Sequence, residues 1–102
     1  MISFEEIGNT LRCCFSGDLS SDFCALVEKE LSGRVSEFLK GREEYEVVFD
    51  LAGCRYMASA FLRFCLFHCK LAGTKNFRIE NPSADLRKVF QIAGFTEMMT
   101  IL

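Results

Sequence analysis

The chain has 102 residues, enough for one domain with a core of its own. Half of the residues are hydrophobic and a quarter are charged, with one Pro and seven Gly, which excludes a disordered, collagen-like or low-complexity chain. Twelve Lys and Arg against fourteen Asp and Glu give a formal net charge of −2, so the basic surplus that a nucleic-acid binder needs is missing.

The opening Met1–Glu6 is acidic and lacks the basic-then-apolar order of a secretion signal. No uncharged run reaches the roughly 18 residues of a membrane-spanning helix. A cytoplasmic protein with no direct membrane insertion and no nucleic-acid partner is expected.

In chain order, residues 2–7 and 10–16 read as two strands around a tight Gly8-Asn9 turn. Gly17-Asp18 then breaks the pattern, and Ser20 or Ser21 can cap a helix. Phe23, Leu26, Val27, Leu31, Val35, Phe38 and Leu39 carry helical spacing over 21–40, and Gly41 ends it. Val47-Val48-Phe49, inside 45–51, is apolar on successive residues, the pattern of a central strand covered on both faces by helices. Residues 52–57 read as a loop, and 58–72 as a second helix ending at Gly73. Residues 75–80 alternate as a strand. Asn81-Pro82 signals a third helix, with Asn81 as cap, lined by Leu86, Val89, Phe90 and Ala93 up to Gly94. The apolar tail from Phe95 is expected to pack back as a last short strand. This alternation predicts one α/β domain over 1–102, with three main helices and a mixed, mostly parallel sheet of about four to five strands.

The second helix is apolar almost all round. Ala58, Phe61, Leu62, Cys65, Leu66, Cys69 and Ala72 make one face; Ala60, Phe64, Phe67 and Leu71 make a second; His68 lies between them. A helix of this kind is either buried on three sides or grips a partner, a second copy included, through Phe64 and Phe67.

Six cysteines in a chain without a secretion signal read as reduced, buried residues. Cys65, His68 and Cys69 share a helix, but a structural zinc site wants four ligands and no second knuckle exists, so neither metal nor cofactor is expected. Cys54, in the expected loop before a helix N-terminus, is the one thiol that could be activated. Ser59 and His68 fall on nearly opposite sides of their helix, and no phosphate-binding glycine motif occurs, so no catalytic arrangement is found. The reading is a non-enzyme.

Val47-Val48-Phe49-Asp50-Leu51 followed by Tyr56-Met57-Ala58-Ser59-Ala60-Phe61-Leu62 resembles the STAS domain of bacterial anti-sigma-factor antagonists. In that family an apolar strand ends in Asp-Leu, and an aromatic-Met-Asp-Ser-Ser/Thr-Gly-Leu motif opens a helix. Phe15-Ser16-Gly17-Asp18-Leu19 resembles the family's turn before its first helix, and Leu86 to Phe95 its third helix with the closing glycine and aromatic.

The resemblance implies a module of transcription regulation by partner switching. It would bind an anti-sigma factor that is also a serine kinase, and phosphorylation would break that contact. The implied contact residues are Gly17, Asp18, Asp50, Cys54, Arg55, Tyr56, Met57, Ala58, Ser59, Ala60 and Arg63. Matching Met57 and Leu62 to the motif puts Ala60 on the phospho-acceptor and Phe61 on the glycine, so the usual switch is lost. Ser59, one residue away, is a candidate for relocated phosphorylation but reads first as a helix cap. STAS-like domains also serve as small cytosolic subunits of membrane transport ATPases, which is the alternative.

Overall fold

The computed structural model describes residues 1–102. Strand β1 (Ile2–Ile7) runs antiparallel to β2 (Thr10–Leu19), with Ile7 opposite Thr10 across the Gly8-Asn9 turn. Gly8 has φ 60° and Asn9 does not share the positive sign, the order of a II′ hairpin turn. Helix α1 (Ser21–Leu39), strand β3 (Glu46–Met57), helix α2 (Ser59–Ala72), strand β4 (Phe77–Glu80), helix α3 (Ala84–Ile92), a short 3-10 turn over Phe95–Glu97 and strand β5 (Thr100–Ile101) follow. The sheet order is β1-β2-β3-β4-β5, parallel from β2 onwards. The expected mixed sheet with one antiparallel edge and three helices is therefore present.

Every parallel connection steps the same way across the sheet, and right-handed crossovers then bring all three helices to one face. The register agrees. Leu11, Val47 and Phe77 lie side by side, as do Cys13, Phe49 and Ile79, and all join the buried core with residues from the helices. The Phe49 ring is the hub. Its centroid lies 5.1 Å from Phe15, 4.9 Å from Phe77, 5.5 Å from His68 and 6.1 Å from Phe61.

The other face has no helix, which corrects the expectation for the Val47-Val48-Phe49 run. Val48 points there, between Arg12 and Arg78 in register, and is fully buried. Arg12 Nη1 reaches Asp50 at 3.0 Å and Glu80 at 2.9 Å, and Arg78 pairs with Glu80 and Glu46. The arginine stems and their carboxylate partners are what shield the valine.

Other boundaries differ for local reasons. Ser20, not Ser21, caps α1, accepting from the Phe23 amide at 3.1 Å. Ser83 caps α3 through the Leu86 amide at 3.2 Å, while Asn81 takes a left-handed φ of 59° and donates to Asp50. Leu26 falls off the buried face of α1 and is 83% exposed; on α3, Leu86 and Phe90 are buried while Val89 and Ala93 are not.

The largest difference is at 52–57. β3 does not end at Leu51 but continues to Met57, and β2 continues through Gly17-Asp18 to Leu19. Register shifts between Cys14 and Ser16 and between Gly17 and Leu19 each give β3 an extra residue. The buried positions of β3 accordingly change from every second residue to Leu51, Cys54 and Met57.

Candidate docking surface

The extended ends of β2 and β3 make a ribbon with Ser16 opposite Gly53, Gly17 opposite Cys54 and Leu19 opposite Met57; Met1 still pairs with Ser16 on its other side, and beyond it the ribbon is two-stranded. Gly17 holds φ +86° at the bulge, a conformation that glycine reaches without strain. The Ala58 amide donates to the Leu19 carbonyl at 2.9 Å, locking the start of α2 onto the end of β2. Gly17 and Asp18 thereby come beside residues 54–59.

Within this ribbon the exposed side chains are Ser16, Asp18, Arg55 and Tyr56, followed by Ser59 and Arg63 on the first turns of α2. Cys54 and Met57 point into the core and are buried, so their side chains are closed to a partner; this corrects their place among the contact residues. The cause is the bulged register, which turns every third residue inward.

Asp50 also lies elsewhere. Its carboxylate accepts from Arg12, from the Ala52 amide at 3.0 Å and from Asn81 at 3.2 Å, on the helix-free face of the sheet. Six strand residues, roughly 20 Å at the usual rise, lie between it and Met57.

Ser59 is not a cap. The cap position of α2 is Ala58, which has no side-chain acceptor to offer, and Ser59 is the first helical residue, exposed to solvent. Ala60 is half-buried and faces the groove between α1 and α2.

Cys54 is a strand residue rather than a loop residue, and burial pushes its thiol up to about 11. Cys13 is pushed up to about 12, again mainly by burial. At Cys54 the Met1 ammonium opposes this but does not reverse it. Cys65, His68 and Cys69 do not converge, and no group of three His, Cys, Asp or Glu side chains is close enough to hold a metal ion.

Helix α2 lies between its two expected descriptions. Phe61, Cys65, His68, Cys69 and Ala72 are buried, Phe64 is half-buried beside Phe61 and His68, and of the apolar side chains only Phe67 and Leu71 are exposed. A gripping face built on Phe64 and Phe67 together is reduced to Phe67. No helix is long and apolar enough to cross a membrane.

Two features escaped the sequence reading. The ion-pair lattice on the open face was signalled by charges at alternate positions, Arg78 and Glu80 in β4 and Arg12 in β2. The α1–α2 groove had no such signal, since its walls come from helices whose relative rotation no local pattern encodes.

No family model and no curated protein matches the chain. Solved structures do match. The whole chain superposes on the anti-sigma factor antagonist SpoIIAA in its unphosphorylated form, over 87% of that chain, with a TM-score of 0.70 and 17% identity. This chain has the fold of SpoIIAA. The Bacillus cell fate determinant SpoIIAA in its phosphorylated form is matched along 91% of its length, again with the whole of this chain, at a TM-score of 0.70 and 19% identity. The likeness bears out the fold expected from the order of motifs. At this identity SpoIIAA speaks for the architecture, and residue roles rest on their own geometry.

Proposed function

We propose that the chain is a non-enzymatic partner-binding module of the anti-sigma-factor-antagonist kind, acting in the cytoplasm. It docks an anti-sigma factor of the serine-kinase type through Gly17, Asp18, Arg55, Tyr56, Ser59 and Arg63. The observation that carries this reading is the ribbon. It projects a bulged, polar strand end beside an uncapped helix N-terminus, away from the paired body of the sheet. SpoIIAA, of the same fold, is known in phosphorylated and unphosphorylated forms. Here the residue matched to the phospho-acceptor is Ala60, which has no hydroxyl, so the grip has no covalent release.

The test is a binding titration against the anti-sigma-type kinase of the same host. Saturable binding that Tyr56→Ala and Arg55→Glu weaken, with no phosphate gained by intact mass after incubation with ATP, supports the reading. Stoichiometric phosphorylation of Ser59 overturns the lost-switch half; no saturable binding overturns the whole.

A further inference from the structure

Away from the ribbon, α1 and α2 enclose a groove of about 480 Å³. Small-molecule sites typically span about 300–1,000 Å³. Its α2 wall is Phe64, Phe67 and His68, and its α1 wall includes Cys24, Ala25 and Ser32.

His68 is the unusual member. It is 1% exposed, and its Nε2 has no hydrogen-bond partner. Its Nδ1 lies 2.9 Å from the Phe64 carbonyl oxygen. A carbonyl only accepts, so Nδ1 carries the proton and Nε2 presents a bare lone pair. A buried acceptor without a donor is costly, and such groups in folded proteins call for a ligand, a water or a function. Aromatic rings surround it, with the Phe67 centroid 5.0 Å and the Phe64 centroid 6.3 Å from the imidazole.

We infer that the α1–α2 groove binds a small planar aromatic molecule bearing an N–H or O–H, of the indole or phenol class. The ring lies against Phe64 and Phe67, and its donor satisfies His68 Nε2. Edge-to-face and offset aromatic contacts supply the apolar part of the affinity, and the single acceptor supplies the selection for a donor. The groove adjoins the proposed docking surface, since Ala60 and Arg63 line it too, but its occupancy is tested without the kinase.

Indole and N-methylindole, which differ in the donor, are the probes, titrated into the full chain and followed by NMR of the imidazole nitrogens. Indole is expected to shift the Nε2 resonance and to bind about tenfold more tightly than N-methylindole, the worth of one buried hydrogen bond. His68→Phe is expected to erase that preference. Because His68 is in the core, Ala25→Phe provides a second test: it fills the groove from an exposed position on α1 and is expected to abolish binding of both probes without lowering Tm. Equal affinity for the two probes, an Nε2 resonance that indole leaves unmoved, or indole binding that survives Ala25→Phe overturns the inference, whatever the outcome of the kinase titration.

Discussion

Gly53 and Ser16 approach so closely across the β2–β3 ribbon that a Cβ on residue 53 would lie 3.1 Å from the Ser16 Cβ. The contact is between two strand backbones at the first register shift, so neither side can swing away. Gly53→Val is expected to destabilise the fold by about 1–3 kcal/mol, as overpacking does elsewhere, with Gly53→Ala milder. Urea denaturation reads the loss. A Val variant as stable as the parent would mean that the ribbon is looser than this spacing implies.

The lattice on the open sheet face sets the acid limb of stability. Glu80 is held below the usual carboxylate range, first by its hydrogen bond to Arg78 and then by Arg12. A depressed folded-state pKa contributes stability above the unfolded value of about 4.3 and loses it as pH falls through the folded value. Glu80→Gln should cost about 1 kcal/mol at neutral pH, discounted for partial exposure. It should also flatten the fall in stability below about pH 5. A variant whose pH profile parallels the parent's would remove Glu80 from that role.

His68 acts in a higher window. Burial lowers its pKa, and the bond to the Phe64 carbonyl opposes this only in part. The unfolded chain therefore binds a proton near pH 6.5 that the folded chain refuses, so stability declines as pH drops below about 6.5. His68 is the sole histidine, so no other imidazole blurs the reading. Replacing it with Phe should abolish the Tm difference between neutral pH and mildly acid pH above the carboxylate range. Persistence of that difference would assign it to other groups.

These features show what the sequence could and could not carry. The period-two run Leu11, Cys13, Phe15 and the alternation of 75–80 reported one buried face directly, although β2 runs on past 16 to Leu19 and β4 begins only at Phe77. The α1 stripe did the same through Val27, Leu31, Val35 and Phe38. β3 beyond Leu51 was hidden because each bulge shifts the inward position by a residue, so Cys54 and Met57 follow no strand period. Val48 looked like the mark of a second helical layer because apolar spacing reports burial and not what does the burying. Asp18, Arg55 and Tyr56 were legible as a cluster only through the likeness of motifs. Nothing local says that residues 17–18 and 54–56 pair.

Thiol chemistry discriminates the docking module from a redox sensor. All six cysteines are free, and each is shifted upward with burial as the leading cause. Only Cys14 is not buried. With a thiol-specific reagent at mildly alkaline pH, the native protein should expose at most this one group on the fast timescale, the others reacting only after denaturant is added. Rapid labelling of Cys54, located by peptide mapping, would revive the activated-thiol reading and contradict its place in the core.

A hydroxyl supplied at residue 60 tests the proposal that Ala60 stands where a phospho-acceptor would be. Ala60 is half-buried at the groove edge on the first turn of α2, where a hydroxyl adds only one atom, and Ser in place of Ala costs about 0.5 kcal/mol in a helix. Ala60→Ser should therefore fold with little change in Tm. Presented to the anti-sigma-type kinase with ATP, it should gain one phosphate by intact mass where the parent gains none. The added charge, close to −2, then sits beside Ser59 at the edge of the proposed docking surface. There it should weaken the complex, read as a rise in Kd for the phosphorylated form only. If the Ser variant binds the kinase as the parent does yet takes no phosphate, Ala60 does not occupy the acceptor position. The absence of a hydroxyl there would then explain nothing about release.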